Sequence, residues 1–271
     1  MGIDPVHASF LHRFLADDDP SEQYGKQFRD TAAGTNIPIT KLLRDYPRPE
    51  IGVEETGFGL RITALRHMEN GQTHVRITNQ IFPAAVTIPM SSEMNITQWH
   101  VPVDDHRCYW YAMFTSFTVP VEQSVMRAQR LAEHSLPLYA PKRNAGNDYG
   151  FDQAEQDTLT YTGMGPDINV HDQWACESPG TIRDRTKEHL GSTDKAITAH
   201  RRMLMAAIKK LQNGDASRRG LAGLRGPIAA DAIGASRTAV NRVPLPGLCP
   251  EQGREQDKAA CQKEPLPGSM P

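Results

Sequence analysis

"GFGLRITALRHMENGQTHVRITNQIFPAAVTIPM", residues 57–90, decides the fold of this chain. Two runs rich in Ile, Val, Thr and Leu flank Asn70-Gly71. An Asn-Gly pair accepts the positive φ angles that a tight hairpin turn needs, and β-branched residues pack well on a pleated surface. The stretch therefore predicts an antiparallel hairpin, within a strand-rich segment covering about 50–90. Downstream, "MNITQWHVPVDD" (94–105) and "CYWYAMFTSFTV" (108–119) flank a polar turn at Asp104, Asp105 and His106, which predicts a second hairpin. The middle of the chain is thus expected to be antiparallel sheet.

Further out, the pattern changes period. Residues 2–15 predict a short helix, with Val6, Phe10 and Leu11 at helical spacing and Pro20 as the stop beyond it. Residues 123–141 are mixed and end in prolines, and 148–164 read as polar loop. A new helical stretch opens at "HDQWACES" (171–178). The clearest helix starts near Ser192, with Asp194 in its first turn and Ile197, Leu204, Ile208 and Leu211 along one face. Lys209 and Lys210 suit the negative end of its dipole, and Gly214 suits the position just past its end. One long helix after an antiparallel sheet predicts an α+β domain with the helix lying across the sheet. The domain is expected to span 1–213. Residues 214–271, with their Gly, Pro, Arg and Ala clusters, read as a C-terminal extension that is largely disordered after about 243.

Composition narrows the function classes. A formal net charge of -2 supplies no field that would favour nucleic acid or an anionic membrane. No apolar run approaches the roughly 20 residues of a membrane span, and the N-terminus lacks a signal-peptide layout, so a cytoplasmic protein is expected. Cys108, Cys176, Cys249 and Cys261 form no C-x-x-C or C-x-H pair and are expected to be free thiols.

Chemistry concentrates near the start. "GIDPVHASFLHR" (2–13) packs Asp4, His7 and His12 into nine residues. Two histidines and one carboxylate on one face of an octahedron suit ferrous iron and leave positions open for dioxygen. His7 and His12 are five residues apart, a rotation of roughly 140° on a regular helix, so they can share an ion only where the helix ends or distorts between them. On spacing alone they read equally as two unrelated surface histidines, and Asp4 as an ordinary residue of a first turn. Asp104 and Asp105 look like paired carboxylates but fit a turn better. His67, His74, His100, His106 and His134 read as structural or solvated, and Trp99, Tyr109, Trp110 and Phe114 as core or pocket wall.

The segment D-x-x-H-x-x-x-x-H at 4–12 resembles the ligand segment of Rieske non-haem iron oxygenases, in the phthalate 4,5-dioxygenase-type branch that includes aromatic O-demethylases. A second match, "GPDINVHDQWACESPGTIRDRTKEHLGSTDKAITAHRRML" (165–204), is similar to the family's C-terminal segment. There an acid in a "QD"-like pair precedes a Glu-Ser-x-Gly stretch and a basic helix; here the pair is His171-Asp172. "VPVDDHRCYWY" (101–111) is a weaker third match. Together they span about residues 2–213.

The resemblance implies a helix-grip, START-like α+β fold with a curved antiparallel sheet and a long C-terminal helix. It implies His7, His12 and Asp172 as ligands of a mononuclear Fe(II). Asp4 matches the family's bridging acid, which hydrogen-bonds a ligating histidine, fixes its tautomer and leads toward the electron-donating cluster of a neighbouring subunit. Glu177 is a second-ranked carboxylate, and His171 is expected to point away from the metal. The implied substrates are O2 and an aromatic acid, hydroxylated on the ring or O-demethylated. Arg61, Arg66 and Arg76 are candidate carboxylate partners, each equally readable as a solvated strand residue. The implied partners are a Rieske domain with its [2Fe-2S] cluster and a reductase, within a homotrimer. The C-x-H and C-x-x-H loops that hold such a cluster do not occur in these 271 residues. A truncated product, a misplaced start or a split system is therefore expected. The competing expectations are a non-catalytic remnant or ligand-binding module, and a zinc hydrolase built on the same three residues.

Overall fold

The structure is a computed structural model that describes residues 2–15, 37–91, 94–117 and 120–214, together with the backbone of 235–240. The expected stop at Pro20, Cys249, Cys261 and the tail after about 243 lie outside the described residues. Strands β1 (Glu50–Thr56), β2 (Gly59–His67), β3 (Gln72–Ile81), β4 (Ala85–Pro89), β5 (Met94–Pro102) and β6 (Cys108–Ser116) lie in chain order in one antiparallel sheet. Both expected hairpins are present. Gly71 takes φ +78 in the turn between β2 and β3, with Met68 donating its N–H to the Gln72 carbonyl at 2.8 Å. In the β5–β6 turn Asp104 accepts from the His106 N–H at 2.9 Å and from Arg107 at 2.7 Å, so its role is the turn.

Strand pairing at period two assigns one set of side chains to the inner face. Leu60, Ile62, Ala64 and Arg66 of β2 oppose Gln80, Thr78, Arg76 and His74 of β3. The same face continues through Val86 of β4, Gln98 and Ile96 of β5 and Phe114 of β6. Apolar positions supply the core, whereas Arg66 and His74 are polar residues almost fully buried there. A small two-stranded ribbon pairs β7 (His134–Ser135) with β8 (Ala140–Pro141), and β9 (Ala235–Val240) pairs antiparallel with β3.

Helices cover the inner face. The long α6 (Lys195–Gln212) packs Ala196, Ala199 and Met203 on Ile51, Leu60 and Ile62, with Ile3 and Val6 in the same cluster. Full burial of Leu60 and Ile62 contributes about 1.5–3 kcal/mol each. This α+β sheet and C-terminal helix form a helix-grip-like fold, as expected. The helix uses a different face from the one its apolar pattern suggested. Leu204, Ile208 and Leu211 are exposed, because small residues at 196 and 199 allow the closest approach to the sheet. Asp194 is the N-cap residue, preceded by a 3-10 turn at Ser192–Asp194, and Gly214 follows the helix at φ +76 as expected.

The remaining helices depart from the sequence reading in length. The N-terminal helix is a single turn, α1 (His7–Phe10), rather than a helix over 2–15. α2 (Ile39–Asp45) packs Ile39, Leu42 and Leu43 against Met68 and Ala8. α3 (Gln123–Glu133) and the short α4 (Gln153–Thr158) occupy stretches read as mixed and loop. Their sequences carry too few core residues to show a period; of α3, Met126 packs on Met94. α5 (Ile168–Glu177) begins three residues before "HDQWACES" because Asp167 caps it, accepting from the Asn169 N–H at 3.0 Å. Among the described residues, no helix is long and apolar enough to cross a membrane.

Candidate metal centre

The N-terminal segment brings its two histidines together by ending its helix early. The Asp4 carboxylate accepts from the Val6 N–H at 2.8 Å, a local bond that turns the chain into α1. Leu11 donates to the His7 carbonyl and closes that turn. Phe14 then bridges to Thr160, and Leu15 donates to the Leu159 carbonyl at 2.9 Å. His12 therefore lies beyond the helix, and the 140° separation does not apply. The two rings meet edge to face with centroids 5.0 Å apart. Arg66, reaching from β2, donates to the Pro5 carbonyl at 3.2 Å and to the Tyr46 carbonyl at 2.9 Å, clamping the segment onto the sheet.

α5 supplies the acid. Asp172 is its fifth residue, so a dipole-favoured first-turn role does not describe it. Its Oδ1 lies 3.3 Å from His12 Nε2 and 3.7 Å from His7 Nε2, and the ligating atoms of all three residues fall within 4.8 Å of one another. Among the described residues this is the group that could hold a metal ion. His7 Nδ1 donates to the Asp4 carbonyl, so its Nε2 carries a free lone pair. Asp172 Oδ1 is buried and has no hydrogen-bond partner. Electron-pair donors thus converge with no proton between them, which costs energy unless a cation sits there. Burial pushes His7 down to about 3 and keeps it neutral. Burial by itself would raise the Asp172 carboxyl; positive charge on its His12 and His7 side outweighs that and holds it down to about 2, the part that a bound cation would play. Two imidazole nitrogens and one carboxylate oxygen are the donor set that ferrous iron takes.

The three residues line one end of a cavity between the sheet and the helices. Its walls are mostly apolar, with Ile39, Leu43, Ile88, Ile96, Phe114 and Met126. Arg76, Gln98, Gln129 and Asn169 bring polar groups to it. Arg76 donates to the Pro89 carbonyl at 3.0 Å, and burial pushes its guanidinium down to about 10. Burial, and then Arg76, push Arg66 down to about 9. Two guanidinium groups thus lie in or beside the cavity wall, whose lining also holds the Arg130–Asp167 ion pair and the Asp172 carboxylate.

The other candidate residues separate clearly. Arg61 pairs with Glu54 at 3.3 Å on the surface, away from the cavity. Arg66 is fully buried in the clamp and does not line the cavity. Arg61 thus follows its reading as a solvated strand residue and Arg66 follows neither reading, because the pleat turns 61 outward and 66 and 76 inward. Glu177 accepts from the Tyr149 hydroxyl at 2.7 Å, on α5 but outside the cluster of three. The Asp4 contact that fixes the His7 tautomer comes from the backbone carbonyl, whereas its carboxylate, raised by burial, faces the Val6 N–H. His171 stays outside the cluster of three, as expected, but it touches one of its members. It is fully buried, with Nδ1 3.3 Å from His12 Nδ1 and Nε2 2.7 Å from the Gly165 carbonyl oxygen. Its adjacency to Asp172 in sequence hid this, since neighbours on a helix diverge by about 100°; Asp172 faces the histidine pair from the side while His171 reaches beneath His12.

A family model described as "LigXa C-terminal domain like" matches residues 2–231. The phthalate 4,5-dioxygenase oxygenase subunit of Pseudomonas putida is 29% identical over 224 residues, covering 79% of this chain and 48% of that protein. The chain thus spans about half the length of the curated relative it matches.

Proposed function

The chain belongs to the LigXa C-terminal domain-like family, and from that membership we propose that it is the catalytic domain of an aromatic-ring oxygenase. The observation that carries the reading is the convergence of His7 Nε2, His12 Nε2 and Asp172 Oδ1 at the end of an apolar cavity. Ferrous iron held by these three would keep positions open, which is the chemistry by which O2 is activated for insertion into an aromatic ring or a methoxy group. The chain's own residues set the conditions. The Asp4 carbonyl holds His7 in the tautomer that offers Nε2, and the apolar walls keep bulk water from the reacting ring. The inward guanidinium of Arg76 supports an aromatic acid as substrate, its carboxylate drawn to the cation and its ring to the apolar wall.

Electrons would come from a [2Fe-2S] protein of the Rieske type and its reductase. Asp4, on the outer side of His7, would be the acid through which they arrive from a neighbouring subunit of a homotrimer. The catalytic unit would comprise residues 1–213. The test is iron analysis of anaerobically purified protein with the His7→Ala and Asp172→Ala variants. Stoichiometric iron in the parent and its loss in both variants are expected. Undiminished iron in the two variants sinks the assignment.

A further inference from the structure

We propose that His171 is a positioning residue that holds His12 in the one tautomer able to bind a metal. The inference rests on the metal-centre reading above and concerns a residue that departs from the "QD"-like pair at this position. The hydrogen-bond order follows from one fixed end. The Gly165 carbonyl can only accept, and it lies 2.7 Å from His171 Nε2, so that nitrogen carries the proton. A neutral His171 then presents a bare Nδ1. The atom facing it, 3.3 Å away, is His12 Nδ1. Two bare nitrogens at that distance repel, so His12 Nδ1 carries the proton and donates. A neutral His12 therefore has its lone pair on Nε2, the atom 3.3 Å from Asp172 Oδ1.

The fixed end is rigid. Gly165 sits at φ +76, and a side chain there would collide with the Arg143 guanidinium, which donates to the neighbouring Met164 carbonyl. The Gly165 N–H is itself held by Glu155 Oε1 at 2.8 Å. The peptide just before the carbonyl that sets the order is thus held through both its oxygen and its N–H, and the His171 and His12 rings stack at 28° with centroids 5.5 Å apart. Both histidines of the centre are then controlled alike from Nδ1, His7 by the Asp4 carbonyl and His12 by His171. The difference is that a histidine, unlike a carbonyl, accepts only while its other nitrogen donates. The state of His12 is consequently set from Gly165, one residue further from the metal.

Two measurements on the full chain test this. In the metal-free protein, long-range 15N–1H NMR of the imidazoles, with the His12 signals assigned by loss in His12→Gln, should find His12 protonated at Nδ1 and His171 at Nε2. His12 protonated at Nε2 overturns the proposal. In the second, Co(II) is the probe, read by its visible absorption. His171→Leu, which removes the acceptor, should bind Co(II) about 10–100-fold more weakly than the parent. His171→Gln, whose amide can accept from His12 and donate to Gly165, should recover most of that loss. Equal affinity in His171→Leu and parent, or a His171→Gln as weak as His171→Leu while both give the parent's circular dichroism, overturns the role while leaving the metal centre intact. A parent chain that takes up no Co(II) overturns the centre and this role together.

Discussion

Arg66 shows how a single side chain can do structural duty where a functional one was expected. Arg66 is 1% exposed; its Nε donates to the Tyr46 carbonyl and its Nη2 to the Pro5 carbonyl and Ser9 Oγ, while Nη1 is buried without a partner. Those groups belong to the segment that carries His7 and to the end of α2. A cationic group on this scale of burial costs much to desolvate, and the carbonyl bonds repay only part of that. The net effect of removing it still runs one way, because truncation strands two carbonyls and opens a cavity. Arg66→Ala is expected to lower stability by about 2–4 kcal/mol, measured by urea unfolding at neutral pH. An unchanged midpoint would show that the carbonyls find water instead. Such a role is not legible in the sequence. Arg61, Arg66 and Arg76 look alike there, and only the register of β2 against β3 separates the surface pair, the clamp and the cavity wall.

At the scale of elements, the stretch between α5 and α6 has little apolar packing and is held by charge. Glu188 accepts from Arg201 of α6 through both carboxylate oxygens and lies within 3.2 Å of Arg185 and 3.8 Å of Arg183. The hydrogen bond from Arg201 is the largest influence, and it holds the Glu188 carboxyl down to about 2 against an ordinary 4.5. A carboxylate depressed on folding stabilises fully above its unfolded value and loses that contribution as pH falls through its folded one. Stability should therefore decline between pH about 4.5 and 2. Glu188→Gln should show a shallower decline across that window in thermal melts, with Tm at pH 7 lowered as well. A Glu188→Gln melt with the parent's acid slope would assign the loss elsewhere. The sequence shows the charges of "DRTKEH" (184–189) side by side, but not their convergence on one carboxylate, which needs α6 folded back beside the 3-10 turn at Arg185–Lys187.

At the scale of the molecule, the sheet's inner face and the helices around it line a cavity that holds the donor cluster, with Arg76 and Arg130 in its wall. Net charge says nothing of this, since -2 over 271 residues is nearly neutral. Arg66 and Arg76, the first buried and the second half-buried, point the same way from neighbouring strands. Under the proposed function an aromatic carboxylate would be the complementary guest. Arg76→Gln is expected to weaken binding of benzoate-type acids by about tenfold or more, as loss of a partly buried charge-assisted contact costs roughly 1.5–3 kcal/mol. It should leave binding of uncharged methoxyarenes nearly unchanged, with titration calorimetry reading both. Equal losses for both ligand types would mean that Arg76 shapes the cavity rather than reading charge.

The amino-acid sequence by itself determined the sheet and the long helix, and its resemblance to a known family marked the residues that meet at the centre. These depend on local rules: Asn70-Gly71 forces a turn, β-branched runs form strands, and the D-x-x-H-x-x-x-x-H and His-Asp motifs are contiguous strings. Only the tertiary structure decided how those residues act. The end of α1 after one turn let His7 and His12 face each other, and the face of α6 that packs was chosen by small residues rather than by its most apolar stripe. His171 acquired its contact because a loop fixed by Gly165 lies under it. Each of these outcomes depends on which groups lie across a gap from one another, and that distance is set by packing between segments well over a hundred residues apart in the chain.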